Sequence, residues 1–342
     1  FEITYEAMSI TLHIKPVTDF SEYTWNYPTN WETDYGTNWE YPIEDPASHA
    51  LFDADHDWGT VPRWLQVRKA SAYTAAELDI IAAGNYPFIK MIELNGVQGL
   101  RDRNCSSKII TYLNSVIYDP EDGDGFNEDL WLLPDPGQGE TRNMLYDHSV
   151  PAMRDWWVNR AIIKATHPLW DGIFIDALTS QDPNSLQYEM IEQLRSAFPK
   201  TSHIMVGNAL RQMRKAGSRY LMPFFDGSYF ENWQVGSQPL PEIVSATIQL
   251  GREALFKDKL VHFNSIPWNC GWPCLATEQQ MLDGIDVPLA VFLIMVENNA
   301  YFNYLKNPKV HNAGQWEWDA SGIPEMQMPL GPPLGPPVKI GT

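Results

Sequence analysis

From about residue 64 onward, short runs of apolar and β-branched residues alternate with segments of helical periodicity. Each run has the length and composition of a buried strand. Eight such runs predict strands near residues 64–68, 88–94, 108–115, 172–178, 203–209, 227–233, 260–266 and 289–296. Strands separated by helices are typical of parallel α/β folds, and eight of them favour a (β/α)8 TIM barrel.

The segments between the predicted strands begin like helices. Thr74 with Glu77, and Thr277 with Gln280, have the spacing of a capping box. An open, doubly wound sheet is the alternative architecture for this order of elements. That alternative is disfavoured because no G-x-G-x-x-G sequence follows the first predicted strand.

Residues 1–63 differ from the rest of the chain, because they are rich in aromatic and polar residues without helical or strand periodicity. We therefore expect a loop-rich N-terminal extension packed on a catalytic barrel of residues 64–335. Four tryptophans of the extension are candidates to stack on sugar rings, with loop packing as the alternative: Trp25, Trp31, Trp39 and Trp58.

The charge of the chain bears on its partners. Among 342 residues, 43 are acidic and 24 are basic, which gives a net charge of −19. Such a charge repels nucleic acid, so we expect no nucleic-acid partner. The longest apolar run, residues 287–296, is about half of what crosses a bilayer, so we expect no membrane partner. We expect a secreted or periplasmic protein whose leader has been removed before Phe1.

Two acidic segments are candidate metal sites. The first has the composition of a binuclear metal hydrolase: His49, Asp53, Asp55, His56 and Asp57. No matching ligands follow later strands, so a solvated acidic loop is the favoured interpretation of this segment. Residues 119–129 are similar to a calcium loop, but their spacing does not match that of an EF-hand. A structural calcium ion is the one metal that we consider for this segment. Cys270 and Cys274 lack a second ligand pair for zinc. We otherwise expect no cofactor.

Two carboxylates follow apolar strands. Asp176 ends the run GIFID, and Glu231 lies near the end of GSYFENW. Strand alternation places Phe174 with Asp176, and Tyr229 with Glu231, on one side of each strand. Active sites of such barrels lie at the carboxyl ends of the strands. A nucleophile and a general acid/base are what glycoside hydrolysis requires, so we interpret the pair in these roles. The alternative is that each carboxylate only binds loop amides.

Other polar side chains follow predicted strands and suit a ligand rich in hydroxyl groups. Together with two aromatic residues beside Glu231, they form the predicted substrate-binding set: Glu93, Asn114, Asn208, Tyr229, Trp233, Asn264 and Glu297. Asn208 and Asn114 are the favoured members, because each directly closes a strand. Loop capping is the alternative for each polar residue. Asp171 lies at the opposite end of its strand, so we expect a structural role for it.

The segments DGIFIDALTS, HIMVGNAL and GSYFENW, preceded by YDHSVPAMRDWW and followed by GPPLGPP, resemble a group of TIM-barrel glycoside hydrolases. This group is related to the endo-α-1,4-polygalactosaminidases and, more distantly, to the α-galactosidase clan. Marine endo-α-1,3-fucanases are a further candidate relative. The resemblance covers roughly residues 64–335. It implies a nucleophilic aspartate after the fourth strand and an acid/base after the sixth, which correspond here to Asp176 and Glu231.

We therefore expect a retaining glycoside hydrolase that cleaves an α-linked polysaccharide internally, with a galactosaminan, galactan or fucan as substrate. Two alternatives remain open at this point. One is a carbohydrate-binding barrel without catalysis, and the other is a metal-dependent hydrolase.

Overall fold

The computed structural model describes residues 2–5, 8–11, 60–67, 73–84, 86–91, 93–120, 125–134, 142–178, 184–208, 221–233, 241–256, 258–267, 276–304 and 326. The four tryptophans of the N-terminal extension, the acidic segment 49–57, both cysteines of NCGWPC and the Pro/Gly-rich tail lie outside these residues. Of the candidate calcium segment, residues 121–124 also lie outside them.

The described strands in chain order are β1 (Glu2–Tyr5), β2 (Met8–Thr11), β3 (Leu65–Val67), β4 (Phe88–Met91), β5 (Lys108–Asn114), β6 (Leu132–Pro134), β7 (Arg142–Tyr146), β8 (Gly172–Asp176), β9 (Ile204–Gly207), β10 (Gly227–Trp233), β11 (Leu260–Ser265) and β12 (Ala300–Tyr304). The described α-helices are α1 (Ala75–Ala83), α2 (Leu94–Arg101), α3 (Glu128–Trp131), α4 (Pro151–Ala165), α5 (Leu186–Ala197), α6 (Pro241–Phe256), α7 (Glu278–Gly284) and α8 (Asp286–Met295). A 3-10 helix covers Met222–Phe224. None of these helices combines the length and the apolar character that a bilayer crossing requires.

Eight parallel strands form the central sheet in the order β3-β4-β5-β8-β9-β10-β11-β12. A parallel bridge between Arg63 and Phe302 joins the first strand to the last, so that the sheet curls into a barrel. Both predicted capping boxes are present, at Thr74 of α1 and Thr277 of α7. The predicted (β/α)8 TIM barrel is confirmed. In addition, β1 pairs with β2, and β6 pairs with β7, as antiparallel hairpins.

The strand predicted over residues 289–296 is wrong. Most of these residues form α8, and the eighth strand is β12, which follows them. A continuous apolar run fits a buried helix as well as a buried strand, and Pro288 suits a first helical turn. As a consequence, Glu297 lies before β12, at the amino end of that strand, and not at the carboxyl end where it was predicted.

The two strands that carry the candidate catalytic carboxylates are anchored at their amino ends by aspartate–arginine pairs. Asp171, just before β8, accepts from the Arg101 guanidinium at 2.6 Å and from a backbone N–H of β5 at 2.7 Å. Asp226, just before β10, accepts from the two terminal nitrogens of Arg195 at 2.6 and 3.1 Å. Asp226 also binds a backbone N–H of β9 at 2.8 Å. Each pair therefore ties the start of its strand to a neighbouring strand.

Aromatic side chains fill the barrel below its carboxyl end. The inward-facing cluster contains Trp64, Phe88, Phe174, Tyr229 and Tyr301, among others, and all five are less than 4% exposed. The His262 ring lies within this cluster, stacked on Trp64 with ring centroids 4.5 Å apart. The barrel is therefore a packed core, on which the side chains at the carboxyl ends of its strands rest.

His262 generates a prediction about stability and pH. Its burial, and then the charge of Lys90, lower the pKa of His262 to about 3. Neither ring nitrogen has a hydrogen-bond partner among the described residues. Below pH 6.5 the unfolded chain binds a proton at this histidine and the folded chain does not, so the free energy of unfolding falls with acidification. The expected contribution between pH 7 and pH 5 is about 2 kcal/mol.

Urea unfolding of the wild type and of His262→Phe at both pH values measures this contribution. The phenylalanine keeps an aromatic ring against Trp64 but cannot be protonated. From pH 7 to pH 5, the free energy of unfolding of the variant should fall by about 2 kcal/mol less than that of the wild type. Equal losses would show that His262 is not a neutral buried group.

Candidate active site

Three adjacent strands bring the candidate catalytic residues together. Asp176 is the last residue of β8, Asn208 directly follows β9, and Glu231 lies near the end of β10. Since β9 lies between β8 and β10 in the sheet, Asn208 stands between the two carboxylates. The backbone N–H of Asn208 donates to Ile175 at 2.8 Å, which fixes the residue against β8.

The side-chain amide of Asn208 binds both carboxylates. Its Nδ2 donates to Asp176 Oδ1 at 2.8 Å and to Glu231 Oε2 at 3.0 Å. The two oxygens are therefore at most about 5.8 Å apart, and about 5 Å apart if each receives one of the two amide hydrogens at the trigonal angle. The Asn208 Oδ1 atom is buried and has no hydrogen-bond partner among the described residues.

Asp176 accepts hydrogen bonds on both carboxylate oxygens. Besides Asn208, the backbone N–H of Ala177 donates to Oδ1 at 2.7 Å, and the Tyr112 hydroxyl donates to Oδ2 at 2.8 Å. An ionised carboxylate is a pure acceptor, so three donors of this kind suit the charged form. That form is the one that a carboxylate nucleophile requires.

Glu231 has a different environment. It is half-buried and follows Tyr229 and Phe230, which are 3% and 4% exposed. Its Oε2 accepts from the Asn208 amide described above. The side chain of Glu231 therefore lies at the carboxyl end of the barrel, directly after a buried aromatic segment of β10.

Lys90 lies below this pair in a cage of aromatic rings. Its Nζ is 4.1 Å from the ring centroid of Phe174, 5.3 Å from that of Tyr229 and 5.5 Å from that of Tyr112. Cation–π attraction of this kind compensates in part for the loss of water around a buried ammonium group. Phe174 and Tyr229 each precede a candidate catalytic carboxylate by two residues, so Lys90 places a positive charge between those two strands.

Sequence reasoning did not identify Lys90 or Tyr112. A lysine at an inward position of an otherwise apolar strand, FIKM, was the available signal for Lys90. Tyr112 lies two residues before Asn114, on the same side of β5.

Asn114 is near the site but acts through Tyr112. Its Nδ2 donates to the Tyr112 hydroxyl at 3.2 Å. Its Oδ1 accepts from the backbone N–H groups of Val116 and Ile117 at 2.8 and 2.7 Å. The alternative interpretation of loop capping therefore describes this oxygen, while the amide nitrogen supports the tyrosine that binds Asp176.

Glu93 lies on the same end of the barrel, directly before α2. It accepts from the Tyr73 hydroxyl at 3.2 Å. Burial, and then the Glu93 carboxylate, raise the pKa of Tyr73, so this tyrosine remains a hydroxyl donor.

The remaining predicted substrate-binding residues are placed differently from one another. Tyr229 is buried and donates from its hydroxyl to Gln66 at 3.2 Å. Asn264 is fully buried and accepts from Asn303 at 3.0 Å. The side chain of Trp233 lies outside the described part of the chain. Glu297, at the amino end of β12, is 3.9 Å from Arg252 and away from the site.

No group of three or more histidine, cysteine, aspartate or glutamate side chains that could hold a metal ion occurs within the described residues. The segment 49–57 and Cys270 and Cys274 lie outside that part of the chain, so the predictions for them stay predictions.

Comparison with known families identifies one match. The description of this family is hypothetical glycosyl hydrolase family 15, and the match covers residues 101–342, which is most of the chain and includes all three site residues on β8, β9 and β10. No curated protein matches the sequence.

The chain is also similar to several solved structures. The glycoside hydrolase domain of PelA from Pseudomonas aeruginosa is 13% identical, with a TM-score of 0.38 over 60% of this chain and 83% of that one. Ega3 of Aspergillus fumigatus, solved with galactosamine, is 13% identical, with a TM-score of 0.44 over 75% and 95%. The PgaB glycoside hydrolase domain of Bordetella bronchiseptica is 8% identical, with a TM-score of 0.45 over 71% and 94%.

The shared amide of Asn208 generates a prediction about hydrolysis. Asn208→Ala removes the donor that separates and orients Asp176 and Glu231. We expect kcat/KM on an activated aryl α-glycoside to fall by about 100-fold, the usual scale for the loss of one preorganised donor. Asn159→Ala, an exposed site on α4, is the matched control and should keep wild-type kinetics. If kcat/KM of Asn208→Ala stays within threefold of the wild-type value, Asn208 has no role in the reaction.

Proposed function

Since the chain belongs to hypothetical glycosyl hydrolase family 15 and is a glycoside hydrolase, we propose that it hydrolyses an α-linked polysaccharide internally and with retention of configuration. In this proposal Asp176 is the nucleophile and Glu231 is the general acid/base. The observation that carries the proposal is the single nitrogen of Asn208 that binds both carboxylates.

The separation of the carboxylates supports retention. Retaining glycosidases place their two carboxyl groups about 5–5.5 Å apart, whereas inverting enzymes need about 6.5–9.5 Å to admit a water molecule. A shared hydrogen-bond donor limits the bonded oxygens of Asp176 and Glu231 to at most about 5.8 Å. This limit lies closer to the spacing of retaining enzymes than to that of inverting enzymes, and it therefore supports the proposal of retention.

The reaction has two steps. In the first, the Asp176 carboxylate bonds to the anomeric carbon, the glycosidic C–O bond breaks, and the Glu231 carboxyl gives its proton to the leaving oxygen. In the second, the Glu231 carboxylate takes a proton from water, and the water oxygen bonds to the anomeric carbon as the ester to Asp176 breaks. Two inversions at one carbon give retention, and both side chains return to their starting protonation states.

The surrounding residues have defined tasks in these steps. Asn208 holds the carboxylates in register while the proton of Glu231 leaves and returns. Tyr112 and the Ala177 N–H orient the Asp176 carboxylate. Lys90 places a positive charge beneath the two carboxyl groups, which stabilises the ionised form of each by attraction. Nucleophile, acid and base are all supplied by side chains, so the reaction as proposed needs no cofactor.

The substrate class rests on sequence features. The resemblance to polygalactosaminidases and to the α-galactosidase clan supports an α-linked galactosaminan, galactan or fucan. The net charge of −19 disfavours a polyanionic polymer. Internal cleavage is proposed because the aromatic N-terminal extension suits a long chain of sugars, and a secreted or periplasmic location would bring the enzyme to such a polymer.

A panel assay tests the proposed function. Purified protein is incubated with neutral, amino-substituted and sulfated α-linked polysaccharides, and reducing ends and product lengths are followed with time. We expect long oligosaccharides to appear first from one of the non-sulfated polymers. Binding to a polymer without release of reducing ends would instead support a carbohydrate-binding barrel. Loss of activity in the presence of a chelator would support a metal-dependent hydrolase.

Substitution of the two carboxylates separates their roles. Asp176→Asn should abolish hydrolysis of both the polymer and a dinitrophenyl α-glycoside, because the covalent step is lost. Glu231→Gln should abolish polymer hydrolysis but spare the first step with the dinitrophenyl glycoside, whose leaving group needs no proton. Glu192→Gln on the exposed face of α5 is the control and should behave as the wild type. Full polymer activity in Glu231→Gln would contradict the assignment.

A further inference from the structure

The residue that follows Asp176 has a strained backbone. Ala177 has a φ angle of +58°, in the left-handed region that residues with a Cβ rarely adopt. Such a conformation persists where the surrounding structure holds it, and it is found most often at functional sites. Here it lies at the point where β8 ends and the chain turns away from the barrel.

Two buried polar side chains hold this turn. Ser115 directly follows β5, and Gln187 lies in the first turn of α5; they are 0% and 5% exposed. The backbone N–H and the hydroxyl of Ser115 both donate to the Asp176 carbonyl, at 3.0 and 2.7 Å. Gln187 Nε2 donates to the Ala177 carbonyl at 3.0 Å and to the Ser115 hydroxyl at 2.9 Å. The carbonyls on both sides of the strained residue are therefore bound.

This arrangement also fixes the nucleophile. The peptide bond between Asp176 and Ala177 is planar and trans, so its C=O and N–H point in opposite directions. With the carbonyl bound to Ser115, the N–H of Ala177 points towards the Asp176 carboxylate and donates to Oδ1 at 2.7 Å. A change in the backbone of Ala177 would release this donor and let the carboxylate turn.

We propose that Ser115 and Gln187 are positioning residues for the reaction: by holding Ala177 in the left-handed conformation, they fix the backbone N–H that orients the Asp176 carboxylate. The proposal rests on the proposed function of Asp176 as nucleophile. The hydrogen bonds described above join Ser115 and Gln187 to the carbonyls of Asp176 and Ala177 and to each other, so these residues act through the backbone between Asp176 and Ala177.

Rescue by glycine tests this role. Gln187→Ala removes one of two donors to the Ala177 carbonyl, the other being the Ser115 hydroxyl at 3.0 Å. Ala177→Gly removes the penalty of the left-handed conformation. With the dinitrophenyl α-glycoside that the wild type hydrolyses fastest, Gln187→Ala should lower kcat at least about tenfold with KM within about threefold. Ala177→Gly alone, measured in parallel, is the reference for the double variant. The double variant should recover most of the lost kcat, because glycine reaches this conformation without the clamp.

The control is a second glutamine on the same helix, α5. Gln193→Ala, an exposed glutamine of α5 that binds Asp155, should leave kcat unchanged. A Gln187→Ala enzyme with wild-type kcat would overturn the proposal. So would a double variant that is as slow as Gln187→Ala, because a loss caused only by looser packing of α5 is not restored by glycine at position 177.

Thermal unfolding of the four proteins separates this proposal from the proposed function. Ala177→Gly should raise the melting temperature of Gln187→Ala by more than that of the wild type, whether or not any glycoside is hydrolysed. If the wild type hydrolyses no aryl α-glycoside but this coupling is present, the proposed function fails and the clamp on Ala177 stands. Additive changes in melting temperature would show that Gln187 does not hold Ala177.

Discussion

The amide group of Asn208 fixes the geometry on which the site depends. Two carboxylates close together repel each other, and their spacing decides which chemistry they can perform. The planar amide has two hydrogens at a fixed angle, and its nitrogen donates to one oxygen of each carboxylate. Asn208 can do this because it follows β9, the strand that lies between the strands of Asp176 and Glu231. The order of strands in the barrel thus sets the distance between the two proposed catalytic carboxylates.

The rest of the barrel holds these strands in register. Asp171 and Asp226 tie the amino ends of β8 and β10 to neighbouring strands by accepting from backbone N–H groups, and Arg101 and Arg195 hold the two aspartates from the helices α2 and α5. Position 172, which follows Asp171, requires glycine, because a Cβ there would overlap the Ile204 carbonyl oxygen of β9. The sequence Asp-Gly at the start of β8 therefore fixes the position of the strand, and Asp176, the proposed nucleophile, ends it. An apolar and aromatic core between these two levels keeps water away from the strands.

The parts of this arrangement that follow from strand alternation were predictable from the sequence. Alternation places Phe174 below Asp176 and Tyr229 below Glu231, and it requires nothing beyond a run of apolar residues. Contacts between distant strands were not predictable in this way. The ring cage of Lys90 needs Tyr112 and Phe174 from two other strands, and the clamp on Ala177 needs a glutamine from the following helix. Local pattern also could not separate α8 from a strand, because both are continuous apolar runs when fully buried.

The role of Asp176 is tested most sharply by identifying the residue that becomes covalently bound to the sugar during turnover. The wild-type enzyme is incubated with a fluorinated α-glycosyl fluoride, whose glycosyl–enzyme ester is hydrolysed slowly, and its peptides are then examined by mass spectrometry. If Asp176 is the nucleophile, one glycosyl group per chain is attached to the peptide that contains Asp176, and none is attached in Asp176→Asn. A glycosyl group on another residue, or steady turnover of the fluoride with inversion and no bound sugar, would contradict this role.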